Sequence, residues 1–158
     1  MITLIDNLQT MFQTATAEDE TLEYIDSVNV YKFENEHDLI KKGIHPFINL
    51  HGGDETIQKS KTFKFRDARE KIFKVEISFY TASKTYSTVY DGDANTKGIW
   101  TIKNDIWSVI MSDKTVLGYV RDIDSNVSIK SYSTRLKDGI YYAKGTIELS
   151  FIKDEFTA

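Results

Sequence analysis

A chain of 158 residues is long enough for one domain with its own core, and 41% hydrophobic against 28% charged residues excludes a disordered polymer. The absence of cysteine excludes disulfides, thiolate metal sites and a cysteine nucleophile. A formal net charge of -4 argues against a protein that grips the outside of a nucleic-acid duplex, which calls for a basic face. The start, Met-Ile-Thr-Leu-Ile-Asp-Asn-Leu, lacks the basic residues and long apolar run of a signal peptide. No stretch approaches the ~18 consecutive apolar residues of a membrane span, so a soluble chain is expected.

Leu4, Ile5, Leu8, Met11, Phe12 and Ala15 fall on one stripe of a 3.6-residue helix, with Thr3 or Asp6 available to cap it. Core packing is the ordinary reason for such a stripe. Val28 and Val30 alternate with polar neighbours, which predicts a short strand within Tyr24 to Phe33. Glu34 to Ile44, with Gly43, reads as a connection. Pro46, the only proline, leads a second strand over Phe47 to Leu50. His51-Gly52-Gly53-Asp54 is expected to stop that strand with a turn.

A charged stretch follows, predicted as a loop over about residues 52–69. Thr62 to Phe65 could pair there briefly as strand. The clearest strand then places Phe73, Val75, Ile77 and Phe79 on one face, with Lys74, Glu76, Ser78 and Tyr80 on the other. A second helix is predicted over Asp91 to Met111 from the stripe Ile99, Ile102, Ile106, Val109 and Ile110. Trp100 and Trp107 flank that stripe, and Gly98 delays the regular helix. Ser112-Asp113-Lys114 closes the segment. Two strands finish the chain, Val116 to Tyr132 and Tyr141 to Phe151, joined by the hairpin signal Lys137-Asp138-Gly139. Residues 153–158 are expected to fray. The order is helix, three strands, helix, two strands, without linker or repeat. It predicts a single α+β domain over 1–158: a mainly antiparallel sheet of about five strands with two amphipathic helices on one face.

The chemistry-bearing residues form no strong motif. His37, His45 and His51 lack helical zinc spacing, and His45 and His51 lie roughly 20 Å apart on an extended strand. Asp122, Asp124 and Asn126 imitate the opening of a calcium loop, but Val127 and Ser133 stand where glycine and glutamate belong. The glycine pair has no nucleophile motif beside it, and no phosphate loop follows Gly92 or Gly98. No catalytic residue, metal or cofactor is therefore expected. Lys59 to Lys71 carries Phe63 and Phe65 among its basic residues, which suits either a subunit-facing loop or a nucleic-acid contact. Nine tyrosines, nine phenylalanines and two tryptophans suit either an interface, where tyrosine and tryptophan are enriched, or ordinary strand propensity.

In layout the chain resembles the tail terminator proteins of long-tailed bacteriophages, also called minor tail or tail completion proteins. The resemblance rests on the helix at Leu4 to Ala15, the Val28/Val30 strand and His45-Pro46-Phe47-Ile48-Asn49-Leu50 before a charged loop. It continues through Ile72 to Tyr80, the helix ending near Met111, the Leu117-Gly118 turn and two closing strands. It implies a non-enzymatic virion protein at the head-proximal end of the tail, assembled in the host cytoplasm. Such a protein forms a ring of copies, a hexamer in this family, that caps the tail tube, halts its polymerisation and offers the head a docking surface. The implied partners are other copies, the major tail tube protein and a head–tail connector protein, with DNA only passing through the lumen. Phe63, Phe65, Arg66, Arg69, Tyr86 and Tyr90, in loops over 52–69 and 81–93, are the expected contacts with neighbouring subunits and the tube. A head–tail connector of the same virus class and a small-ligand-binding module stand as alternatives. The ligand module would need a deep pocket lined by Trp100, Trp107 or tyrosines.

Overall fold

The computed structural model describes residues 1–30, 46–65, 67–124 and 128–156, with the side chains of 125–137 and 156 outside the description. Within these, the elements in chain order are α1 (Ile2–Ala15), β1 (Ser27–Val30), β2 (Phe47–Lys59), β3 (Ala68–Ser83), α2 (Tyr86–Asp91), α3 (Ile99–Ser112), β4 (Asp122–Ile123), β5 (Ser128–Lys137) and β6 (Ile140–Phe156). Residues 31–45, which carry His37, Gly43 and His45, lie outside the described residues, as do Asn126 and 157–158.

The class is α+β, but the sheet is mixed rather than mainly antiparallel, with six strands among the described residues. The strand order is β1-β2-β3-β6-β4, and β5 also pairs with β6. β1 runs parallel to β2, with Val28 opposite Ile48 and Val30 opposite Leu50. Alternation reveals a strand's faces but not its direction. Parallel pairing depends on the connection between two strands, which the alternation within β1 does not reveal. β2 with β3, β3 with β6, and β6 with β4 and β5 are antiparallel.

One face of the sheet holds the main core. Ile48 and Leu50 face Phe79 and Ile77, and Ile147, Leu149 and Phe151 face Ile77, Val75 and Phe73. The predicted stripes of both long helices close over this face: Leu4, Ile5, Leu8, Met11 and Phe12 from α1, and Ile99, Ile102, Ile106, Val109 and Ile110 from α3. Burial of a large aliphatic side chain contributes about 1.5–3 kcal/mol each, so this layer dominates stability. Polar contacts fix its edges. Gln9 donates to the Val28 carbonyl at 3.1 Å. Tyr24 donates to Asp105 Oδ2 at 2.8 Å. Burial first, and then that carboxylate, push the Tyr24 phenol well above its ordinary pKa. Neither Thr3 nor Asp6 caps α1, since Met1 holds the N-cap position without a side-chain bond.

The glycine pair is not a turn. β2 passes through Gly52 and Gly53 and continues to Lys59, with a bulge between Gly52 and Glu55. A Cβ on Gly52 would meet the Met1 side chain, and one on Gly53 would press on the Lys74 carbonyl, so both glycines mark close approaches. Much of the charged loop predicted at 52–69 is strand, since β2 reaches Lys59 and β3 begins at Ala68, and Thr62 to Phe65 makes no strand. Residues 55–59 are polar apart from the exposed Ile57, and their pairing with 69–73 of β3 makes them strand. The tail is corrected likewise: β6 reaches Phe156, and residues 152–156 pair with 68–72 of β3.

The helix predicted from Asp91 to Met111 begins only at Ile99, with Gly98 as the N-cap of α3, and the separate short helix α2 comes before residues 92–98. The predicted strand from Val116 starts late, because 113–119 is a tight turn. Val116, Leu117 and Gly118 all take positive φ, at 50°, 56° and 76°. Asp113 organises it, accepting from the Thr115 hydroxyl at 2.6 Å, the Leu117 amide at 2.9 Å and the Thr115 amide at 3.0 Å. The Thr115 hydroxyl first, then the Leu117 amide, hold the Asp113 carboxyl below its ordinary pKa. A depressed carboxyl pKa contributes stability above the unfolded value and loses it as pH falls through the folded one. Asp113→Ala is expected to cost about 1 kcal/mol at pH 7 in urea denaturation. That difference should shrink as pH falls below the ordinary carboxyl range and through the depressed folded pKa. The β5–β6 turn is as predicted, with Asp138 and Gly139 both at positive φ.

Candidate functional site

The connection between β2 and β3 forms a tip that its own hydrogen bonds hold in shape. The Ser60 amide donates to the Ala68 carbonyl at 2.9 Å, and the amides of Phe63 and Thr62 donate to the Ser60 hydroxyl at 3.0 and 3.2 Å. Arg121 secures the tip from the side, donating to Thr62 Oγ1 at 2.7 Å. Phe63 and Phe65 sit on this tip with ring centroids 6.0 Å apart, and Phe65 is 53% exposed. Arg69 is exposed in the first turn of pairing of β3, opposite Lys59 and Glu155. Arg66 lies outside the described residues.

Tyr86 and Tyr90 belong to α2 rather than to a loop. Their centroids are 5.4 Å apart, and Tyr141 of β6 meets Tyr86 edge-on at 5.6 Å. A hydrogen bond with Tyr90 holds the Tyr86 phenol above its ordinary pKa, yet the Tyr86 ring is 56% exposed. The structure does not bring this cluster to the phenylalanines. They lie beyond opposite ends of β3, whose 16 residues span roughly 50 Å.

A groove missed in the sequence runs across the second face of the sheet, away from α1 and α3. Its volume is about 640 Å³, and His51, Asp54, Lys74, Glu76, Asp124 and Glu148 contribute to its walls. His51, Glu76 and Glu148 are direct cross-strand neighbours of β2, β3 and β6, so they form one row. The polar face of β3 was visible as Lys74 and Glu76. Their neighbours come from segments far apart in the chain, which no local pattern connects. Among the described residues, neither tryptophan nor any tyrosine lines this groove. A smaller cavity of about 370 Å³ lies beside Tyr24, Pro46, Thr81 and Lys97. Asp124, read in sequence as part of a calcium-like run, is in the groove wall, whereas Asp122 is an exposed residue of β4. Among the described residues no three His, Asp or Glu side chains converge as metal ligands would. None of the described helices is long and apolar enough to cross a membrane.

Beside the groove lies a charged cluster. Glu70, only 2% exposed, accepts from Gln58 at 2.7 Å and from Arg121 at 3.2 Å, and the Arg121 Nε lies 3.0 Å from Asp154 Oδ1. The geometry of the cluster suits joining the tip to the sheet. No protein-family model and no curated protein sequence matches the chain.

Proposed function

We propose that the chain is the repeating subunit of a closed ring that ends a bacteriophage tail tube, a tail terminator without enzymatic activity. One observation carries the reading: a rigid, continuously paired strand holds two exposed aromatic clusters at its opposite ends, roughly 50 Å apart. A capping ring has to meet the tube on one side and the head-side connector on the other. Aromatic residues on a preformed scaffold bind with little ordering cost. Copies would meet through heterologous contacts that close on themselves, and closure limits growth. The tip with Phe63, Phe65, Arg66 and Arg69 would face a neighbour or the tube, and Tyr86 and Tyr90 the opposite side. A net charge of -4 suits a lumen through which DNA passes without being held.

Size-exclusion chromatography with light scattering, followed by negative-stain microscopy with purified tail tubes, tests this. The expected particle is a ring of six 18.2 kDa chains seated on one end of each tube. A strictly monomeric protein that ignores tubes overturns the reading. Rings that bind only the head-side connector would make the protein a connector of the same virus class instead.

A further inference from the structure

We infer that the β2–β3 tip of one copy docks into the second-face groove of the next copy, and that this contact closes the ring. The inference rests on the ring reading above and names the two surfaces that meet.

The two surfaces are complementary in charge. The tip presents Lys61 and Lys64, both exposed and in no ion pair among the described residues, beside the exposed ring of Phe65. The groove walls carry Asp54, Glu76, Asp124 and Glu148 against one lysine, Lys74. The partly buried Ile72 lines the same groove, an apolar surface that an incoming aromatic ring would cover. About 640 Å³ leaves room for several side chains.

The groove begins beside the tip at Gln58 and Ile72, but the tip does not reach the acidic end of its own groove at Glu76 and Glu148. Lys59 is paired with Arg69, and pairing continues along β2 and β3 toward the groove. The stretch of β3 from Arg69 to Glu76 holds the tip roughly 20 Å from its own Glu76. A contact between the tip lysines and that acidic end therefore joins different copies. A surface that meets a different surface on each neighbour is what a ring requires, since a self-complementary patch would stop at a dimer. The hydrogen bonds that the Ser60 hydroxyl accepts and that Arg121 donates shape the tip in the isolated chain and lower the ordering cost of docking.

The test uses two surface charge reversals in the full chain, Lys61→Glu with Lys64→Glu on the tip, and Asp54→Lys with Glu76→Lys in the groove. Each variant alone should fold with a wild-type circular dichroism spectrum but assemble at least ~100-fold more weakly by light scattering. An equimolar mixture should recover rings, because each reversed tip then meets a reversed groove in alternating copies. A second arm uses the absence of native cysteine. Lys64→Cys mixed with Asp54→Cys should give an oxidised dimer that neither variant forms alone, and this arm decides should a reversed variant misfold. Variants that assemble like the wild type, or a mixture of folded variants that stays monomeric, overturn the inference while leaving the ring reading intact. A wild-type chain that is itself monomeric removes the ring reading first.

Discussion

Gly98→Ala should destabilise the protein by about 3 kcal/mol, near the top of the range for forcing atoms into packed space. A Cβ on Gly98 would overlap the Tyr90 carbonyl oxygen and the Gly92 amide nitrogen, which are backbone atoms and cannot swing aside. The surrounding loop is fully committed. The Gly92 amide donates to the Thr88 carbonyl at 2.9 Å, Asp93 Oδ1 accepts from the amides of Asn95 and Thr96 at 2.8 Å each, and the Thr81 hydroxyl reaches the Lys97 carbonyl at 3.2 Å. Relief would need α2 and α3 to separate, which exposes Val89 and Ile99, both fully buried. The melting temperature should fall by roughly 6–12 °C. Gly118→Ala is the informative comparison. Gly118 has φ +76° and nothing within 4 Å of a Cβ, so only left-handed strain of about 1 kcal/mol is expected there. Equal losses at the two glycines in thermal melts would show that the Gly98 contact is not what holds α2 against α3.

Gly98 also shows where sequence reasoning was sharp and where it was blunt. Its weakness as a helix former was visible, and α3 does begin directly after it. The separate helix α2 was not visible, because six residues carry less than two turns of any periodic pattern. The two long amphipathic stripes and the Phe73-to-Phe79 alternation were legible because their periods are local and nothing in the tertiary fold overrides them. The course of β2 was not. Gly52, Gly53 and the polar residues after them have the composition of a loop, and they are strand because β3 and β6 extend beyond the helices to pair there. The parallel direction of β1 was hidden for a related reason: it depends on where the chain goes between β1 and β2, not on which residues β1 contains. At the candidate site, Phe63 and Phe65 fall on the exposed tip, where a contact loop was expected. Tyr86 and Tyr90 are together but on a helix, at the far end of the sheet. The groove had no local signature, since His51, Glu76, Asp124 and Glu148 meet only through strand register.

Arg121→Met should cost about 3 kcal/mol in chemical denaturation, the low end of what breaking a buried ion pair costs. The size follows from what is left behind. Glu70 is 2% exposed and Asp154 lies across from it in the register of β3 and β6, so two carboxylates would face each other without their shared cation. The figure is held at the low end because the Arg121 side chain keeps 30% of its exposure and water can screen part of the loss. Adding Glu70→Leu and Asp154→Leu to Arg121→Met should recover most of the stability, since an apolar replacement removes the desolvation cost together with the attraction. The cluster also reaches the tip through the 2.7 Å bond from Arg121 to Thr62 Oγ1. The triple variant therefore separates two roles of one side chain. If Arg121 serves only the fold, the repaired protein should assemble like the wild type. If it also presents Lys61, Lys64 and Phe65 in docking geometry, stability should return while assembly stays weakened. Arg121→Met with a loss under about 1 kcal/mol would mean that Glu70 is satisfied by Gln58 alone.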